Sequence, residues 1–160
     1  MDFAVRSFEV EDSEALGQVF YRSVREGAAR RYTPAQVEAW SPAPPAGDVW
    51  CARLSAADTV VAVRDDQPLG FMTLDAKGYL DLAFVVPEAM GAGVSDALYA
   101  VLEGRARASG FLTLTTQASL LAEPFFARYG WRVTRRQEVE MSGVVLKNAW
   151  MEKRLQRAAA

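Results

Sequence analysis

The sequence predicts a single domain of mixed α/β (α+β) class, in which helices and strands share one core. Its 160 residues suit one domain that is large enough to bury a real hydrophobic core. The chain is 51% hydrophobic and 24% charged, as ordinary globular proteins are. Apolar residues recur at helical spacing near the amino terminus and form β-branched runs between turn signals further on. Both kinds of element are therefore expected within one domain.

The first half of the chain carries mainly helix signals. Acidic residues in a first turn and proline at a first helical position favour helix starts, whereas three prolines close together exclude regular structure. The predicted elements are a strand at 4–8, a helix from 11 with Leu16, Val19, Phe20 and Val24 on its core face, a helix after the cap Thr33, a loop at 41–47 and a short helix at 48–54.

The second half carries strand signals that are interrupted by two helices. Its apolar runs are bounded by Asp65-Asp66-Gln67, Lys77-Gly78 and Ser142-Gly143, which are typical of turns. The predicted elements are strands at 59–63, 69–74 and 79–86, a helix from 94 closed by Gly110, a strand at 112–116, a helix at 122–129, and a hairpin with strands at 131–140 and 144–152.

The composition excludes several classes of function. Without histidine the chain has no Ser-His-Asp or Cys-His catalysis and no His-ligated metal, and its single cysteine, Cys51, forms no internal disulfide or zinc cluster. We therefore expect no metal. Eighteen basic and twenty acidic residues give no field that favours nucleic acid or an anionic membrane. No stretch resembles a membrane span or a secretory signal, so we expect a cytoplasmic protein.

Two glycines, Gly91 and Gly93, separate the strand that Pro87 ends from the helix that begins near Val94. Glycine lets the backbone approach a ligand closely, and the free N–H groups of a helix start suit an anion, most simply a phosphate. The alternative is a strand-to-helix turn that uses two glycines only for its geometry. The loop matches neither the dinucleotide-binding nor the P-loop pattern.

Six stretches, spread along nearly the whole chain, resemble one known family. They are "VRSFEVEDSEAL", "REGAARRYTPAQVEAW", "VVAVRDDQPLGFMTLD", "GYLDLAFVVPEAMGAGVSDALYAVLEGRARASG", "TLTTQASLLAEPFFARYGWRV" and "GVVLKNAWMEKRL". They are similar to the GNAT-superfamily N-acetyltransferases, and the second and last resemble a bacterial subgroup of uncharacterised acetyltransferases. The resemblance implies one N-acetyltransferase domain over 1–157, a frayed tail at 158–160, and a mixed, mostly antiparallel sheet of about seven strands flanked by helices.

The resemblance also implies a cosubstrate, acetyl-CoA, and the place where it binds. The pantetheine arm would lie on the backbone of Ala83, Phe84 and Val85, just before the proline. The pyrophosphate loop would fall on 90–95, with Gly93 in the essential middle position. Ser119 stands where the family often has a coenzyme-contacting asparagine. The implied coenzyme-binding residues of the loop and helix start are Gly91, Ala92, Gly93, Val94, Ser95 and Asp96.

Four residues depart from the family's pattern. Met90 replaces a polar residue of the loop, and Ser95 replaces a small one. Asp96 places a carboxylate where a cation is preferred, which at about 7 Å from a phosphate costs roughly 1 kcal/mol. Its alternative role is to stabilise the first turn of the helix. Phe126 stands where a tyrosine often protonates the departing thiolate. We expect a weakened but usable loop.

Asp81, on the strand that would bind the coenzyme, is the preferred general base, because an amine attacks only when it is neutral. Its alternative role is to cap a neighbouring loop, and Asp75 is a second choice for the base. Tyr129 lies on the same helix face as Phe126 and is the candidate acid, with apolar packing as the alternative. A dedicated acid is dispensable, because an alkyl thiol has a pKa near ~8.5 and its thiolate leaves readily.

The implied acceptor is a small-molecule or peptide amine. Tyr32 and Trp40, together with Trp50, lie in the region that covers the acceptor side in this family, where aromatic rings line a pocket or simply form core. Exposed strand edges near the carboxy-terminal hairpin favour a homodimer.

The sequence therefore predicts acetyl transfer from acetyl-CoA to a primary amine by direct attack, with the backbone N–H near Val85 polarising the thioester carbonyl. Two alternatives stay open. One is a GNAT-fold binding or regulatory protein whose coenzyme loop has degenerated, for which Met90, Ser95, Asp96 and Phe126 are the evidence. The other is transfer of an acyl group longer than acetyl.

Overall fold

The computed structural model describes residues 1–155, so the predicted frayed tail lies outside the described residues. Seven strands form one sheet in the order β1-β2-β3-β4-β5-β7-β6. Every neighbouring pair is antiparallel except β4 and β5, which confirms the mixed, mostly antiparallel sheet. The strands are β1 (Ala4–Ser7), β2 (Asp58–Arg64), β3 (Gln67–Leu74), β4 (Tyr79–Val85), β5 (Thr113–Ser119), β6 (Arg132–Met141) and β7 (Val144–Arg154).

Five α-helices flank the sheet among the described residues. They are α1 (Ser13–Arg22), α2 (Pro34–Trp40), α3 (Gly47–Ala56), α4 (Val94–Ala108) and α5 (Glu123–Arg128). The predicted cap of α2 is confirmed, since the Thr33 hydroxyl accepts from the Gln36 N–H and the Gln36 side chain accepts from the Thr33 N–H. The turn at Ser142 and Gly143 is also confirmed, with φ angles of 49° and 78°.

Two elements differ from their predicted bounds by more than one or two residues. Strand β5 ends at Ser119 instead of Thr116, because it pairs with β7 along its whole length from Thr113 to Ser119. Helix α1 continues into a π-helical turn at Ser23–Gly27 and a 3₁₀ turn at Ala28–Arg30. Long-range pairing and packing decide both features, and neither has a local signal in the sequence.

The core has two parts. The larger one lies between the sheet and helices α1, α3 and α4, with fully buried Leu16, Leu54, Phe71 and Leu98. The smaller one lies beneath α2 and the π-helical turn, and contains Val24, Ala28, Tyr32, Val37 and Leu146. Within 1–155, no helix is both long and apolar enough to cross a membrane.

Candidate functional site

The parallel pair β4 and β5 opens into a gap soon after it begins. The two strands pair only at Tyr79 with Thr115 and at Leu80 with Thr116. The buried Thr116 hydroxyl donates to the Leu80 carbonyl at 2.7 Å, at the last paired position. The next residue, Asp81, is an extra residue of β4 that has no partner on β3, so it forms a bulge. The bulge coincides with the point where the strands separate.

The backbone of β4 beyond the bulge presents free polar groups to this gap. The Val86 N–H donates to the Leu69 carbonyl at 2.8 Å, which fixes the alternation of the antiparallel ladder with β3. The N–H and C=O groups of Ala83 and Val85 therefore point towards the gap, whereas those of Phe84 point towards β3. Backbone contacts were predicted for Ala83, Phe84 and Val85. The backbone groups of Ala83 and Val85 are oriented towards the gap, whereas Phe84 can contact a ligand there only through its side chain.

A cavity of about 230 Å³, here called the loop cavity, begins at this gap. It is largely apolar and reaches from β4 to the glycine loop. Of the described residues that line it, Arg30 is the basic one. The lining residues include Ser23, Val24, Ala28, Arg30, Trp40, Ala83, Phe84, Val85, Met90, Gly91, Ser95, Ser119 and Phe126.

The glycine loop has the backbone that its sequence predicts. Gly91 and Gly93 have φ angles of 77° and 86°, in the left-handed region that favours glycine. Gly93 is the N-cap of α4, and no side chain caps this helix. The first N–H groups of an α-helix have no acceptor within the helix, so those at the start of α4 are available to an anion.

Asp96, in the first turn of α4, is paired. Its Oδ1 accepts from the Tyr129 hydroxyl at 2.5 Å and from the Arg128 guanidinium at 2.9 Å. The hydrogen bond to this carboxylate raises the pKa of the Tyr129 phenol above its ordinary value. Arg128 offsets the negative charge that was expected to weaken the loop. The Tyr129 proton is engaged with Asp96, and Tyr129 is not among the residues that line the loop cavity.

A second cavity of about 350 Å³, here called the strand cavity, lies on the other side of the gap. It meets the loop cavity at Trp40, Phe84 and Ser119, which line both. A ligand in one cavity can therefore touch a ligand in the other at this junction. The strand cavity is lined by Phe20, Tyr32, Trp40, Arg53, Tyr79, Asp81, Leu82, Phe84, Gln117, Ser119, Val139, Met141, Leu146 and Asn148.

Asp81 lines the strand cavity and is held by Arg53 of α3. Both carboxylate oxygens accept from the guanidinium, at 2.8 Å each. The Asp81 side chain is 27% exposed and the Arg53 side chain 49%. The pair fixes the orientation of the carboxylate at the wall of the cavity. Asp75, the second choice for the base, instead accepts from the N–H groups of Lys77 and Tyr79 and caps their turn.

The three aromatic residues predicted near the acceptor divide into two kinds. Trp40 is half-buried at the junction and packs edge-on against Phe84. The ring of Tyr32 lines the strand cavity, but its hydroxyl is used by the fold: it donates to the Lys147 carbonyl and accepts from the Leu120 N–H. Burial raises the pKa of this phenol. Trp50 is core, 5% exposed.

Two departures from the family's pattern have a structural explanation. Phe126 is buried against Trp131 and lines the loop cavity, where it presents an apolar ring and no proton. Met90 packs on the π-helical turn, where a Cβ at Gly27 would lie 2.3 Å from the Met90 Cε. Met90 therefore joins the loop to the helical region that covers it.

Some lining residues of the strand cavity were not predicted. Arg53 has no local signal, because its partner Asp81 is distant in sequence. Asn148 did have one: with the period of two of a strand, it shares a face of β7 with the apolar Leu146 and Trp150. Among residues 1–155, no group of three or more His, Cys, Asp or Glu side chains is placed to hold a metal ion.

Comparison with known proteins agrees with this geometry. The family model of the acetyltransferase (GNAT) domain matches residues 28–155. The uncharacterized N-acetyltransferase YafP of Escherichia coli is 33% identical over 92% of this chain and 93% of its own length. The crystal structure of a GCN5-related N-acetyltransferase from Rhodopseudomonas palustris has a TM-score of 0.89 and 34% identity, and the match covers 97% of each chain.

A more distant likeness is to the structure of YncA from Salmonella typhimurium with its cofactor acetyl-CoA, at 16% identity and a TM-score of 0.76 over 100% of this chain and 98% of that one. The gap and the glycine loop lie within the region that the family model matches, as do most residues that line the two cavities, whereas Phe20, Ser23 and Val24 precede it. The chain therefore belongs to the GNAT family of acetyltransferases.

Proposed function

We propose that the protein transfers the acetyl group of acetyl-CoA to a primary amine, which attacks the thioester directly at the junction of the two cavities. The observation that supports this most is the shared wall of Trp40, Phe84 and Ser119, at the gap where β4 leaves β5. The loop cavity suits the acetyl donor and the strand cavity suits the amine. Acetyl-CoA supplies an activated carbonyl on a good leaving group. The residues of this chain bind and orient the two reactants and accept a proton from the amine.

The residues of the loop cavity fit acetyl-CoA. We assign its pyrophosphate to the loop residues Gly91, Ala92 and Gly93 and to the N–H groups of Val94, Ser95 and Asp96, since the start of α4 is uncapped. The Ala92 N–H itself donates to the Ala89 carbonyl at 3.3 Å, so Ala92 shapes the loop around the anion. The free backbone groups of Ala83 and Val85 match the amides of the pantetheine arm. Arg30 offers a cation to a phosphate, and Ser119 lies at the inner end, where its hydroxyl already accepts from the Ala122 N–H.

We assign Asp81 the role of general base. As the C–N bond forms and the C–S bond breaks, one amine proton passes to the Asp81 carboxylate, directly or through a water, and the sulfur leaves with the bonding electrons. The Val85 N–H points into the gap and can polarise the carbonyl. Tyr129 holds Asp96 in this proposal, and the thiolate leaves without a dedicated acid.

On the acceptor side, Trp40 and Tyr32 form an aromatic wall for the carbon chain of a small-molecule or peptide amine. The homodimer and the cytoplasmic location stay predictions. The edge strand β6 carries five charged residues, Arg132, Arg135, Arg136, Glu138 and Glu140, and charges on an edge strand discourage edge-to-edge pairing, so this edge does not support the homodimer prediction.

Two substitutions separate the base from its ion-pair partner. We expect Asp81→Asn to lower kcat/KM for an amine about 100-fold, because it removes the proton acceptor, and to leave the Kd of acetyl-CoA unchanged. Arg53→Ala removes the partner but keeps the carboxylate, so activity should persist. Steady-state release of CoA thiol is the measurement. Equal losses in both variants would show that the pair only maintains the fold and that Asp81 is not the base.

The alternative, a binding protein with a degenerate loop, makes a different prediction for the wild-type protein. It predicts that acetyl-CoA binds without any thiol release above the buffer rate with n-butylamine, spermidine or Nα-acetyl-lysine amide. Release with any of these amines supports the enzyme.

A further inference from the structure

We propose that Asn148 binds the attacking amine, with its side-chain carbonyl accepting the N–H that is not transferred to Asp81. This inference rests on the proposed function and adds the residue that selects a primary amine. Asn148 lies on β7 and lines the strand cavity, and its Oδ1 is buried without a hydrogen-bond partner. An unpaired buried carbonyl is rare and destabilising in native proteins, so it calls for a partner that arrives with a ligand.

The strand cavity contains an internal comparison for this amide. Gln117 also lines it, yet both ends of its side chain are paired within the protein. Its Nε2 donates to the Tyr79 hydroxyl at 3.2 Å, and its Oε1 accepts from the Gln137 Nε2 at 2.9 Å. Of the two amides on this wall, Asn148 is therefore the one with an acceptor to offer.

The position of Asn148 suits contact with the reacting nitrogen. It stands directly opposite Ser119 in the antiparallel pairing of β5 with β7. Directly opposed residues have Cβ atoms about 4.5–5.5 Å apart. Ser119 lines both cavities, so Asn148 is one side chain away from the junction at which the donor and the amine meet.

The chemistry of the two polar groups specifies the class of acceptor. A carbonyl oxygen accepts hydrogen bonds and cannot donate one, so Oδ1 favours an N–H and disfavours carboxylate or phosphate oxygens. A neutral primary amine has two N–H groups and one lone pair. One N–H goes to Asp81, the other to Asn148, and the lone pair attacks. A secondary amine lacks the second N–H, so Asn148 selects primary amines.

The test compares n-butylamine with N-methylbutylamine in the wild-type protein and in two variants. We expect the wild type to prefer the primary amine by about tenfold in kcat/KM. Asn148→Leu should reduce this preference to within about twofold without lowering the thermal stability, because it removes an unpaired carbonyl. Asn148→Asp keeps an acceptor oxygen and should keep the preference. An unchanged preference in Asn148→Leu would overturn the inference.

A second readout does not depend on turnover. In the CoA-saturated protein, the Asn148 side-chain amide resonance, assigned by its loss in Asn148→Leu, should shift when n-butylamine is added. No shift in the wild type overturns the role of Asn148, whether or not the protein is active. A shift without any thiol release supports that role and overturns the proposed transfer, so the two failures are distinguishable.

Discussion

The ion pair between Asp81 and Arg53 determines how the Asp81 carboxylate is oriented in the site. The sequence predicts a carboxylate on the coenzyme-binding strand, and the structure places it on a bulge at the wall of the strand cavity. Its partner Arg53 comes from α3, 28 residues away. No local pattern reports such a pair, so the choice between base and structural anchor could not be made from sequence. The same holds for Asp96, whose charge is offset by Arg128 of α5.

At the residue scale, Gly17 is a point of close packing between α1 and the loop that contains Pro45. A Cβ at this position would lie 2.1 Å from the Pro45 carbonyl oxygen, where the loop at 41–47 contacts α1. Because backbone must shift to admit a methyl group, we expect Gly17→Ala to lower the free energy of unfolding by about 1–3 kcal/mol in urea titration.

Gly104 provides the matched control. It is an exposed glycine inside α4, and a Cβ there would meet nothing within 4 Å. Gly104→Ala should raise the free energy of unfolding by about 0.5–1 kcal/mol, because alanine is the better helix former. If both variants were stabilised, the close contact with Pro45 would not be present in solution.

At the element scale, features formed by residues close in sequence were predicted correctly, whereas features that depend on contacts distant in sequence were not. The cap of α2 and the Ser142-Gly143 turn could both be predicted from sequence, because the groups that form them are neighbours in the chain. The π-helical turn at Ser23–Gly27 packs against Met90 at Gly27, and β5 pairs with β7 along its whole length. The π-helical turn borders the loop cavity, and the end of β5 lies at the junction, so the shape of the site could not be predicted from the sequence.

The start of α1 is fixed to β1 by Asp12. Its side chain accepts two hydrogen bonds from Arg6 and one from the Glu9 N–H. The Arg6 guanidinium, helped by that N–H, lowers the pKa of the Asp12 carboxyl. A lowered folded-state pKa stabilises the protein fully above the unfolded value of about 3.9, and this contribution is lost as the pH falls through the folded value.

We therefore expect Asp12→Asn to lower the free energy of unfolding by about 1–3 kcal/mol at pH 7. The difference from the wild type should shrink steadily below about pH 4, where the wild-type carboxyl also becomes protonated. Urea titrations at pH 7 and at pH 3 give both values. A difference that is the same at the two pH values would contradict an ion-pair role for Asp12.

At the scale of the whole molecule, the site lies where the parallel strands β4 and β5 separate after two paired positions. The bulge at Asp81 and the last bond at Thr116 end the pairing, and the opened gap joins a cavity that faces the glycine loop to a cavity lined by β7. The fold class and the loop were predicted from sequence, since the motifs that carry them are contiguous. Arg53 and the junction come from strands and helices that only the folded chain brings together. The face of β7 that carries Asn148 could be predicted from sequence, but the cavity that this residue lines could not.

The most direct test of this account is calorimetric titration with acetyl-CoA of the wild-type protein and of two glycine variants. Gly93 and Gly110 lie at the two ends of α4, both have positive φ, and a Cβ at either would meet nothing within 4 Å. Glutamate at either site therefore carries a similar backbone cost, but only Gly93→Glu places a carboxylate at the proposed pyrophosphate site.

We predict micromolar binding by the wild type and by Gly110→Glu, and loss of measurable binding in Gly93→Glu. Equal affinity in all three proteins, or no binding by the wild type up to millimolar acetyl-CoA, would contradict the account.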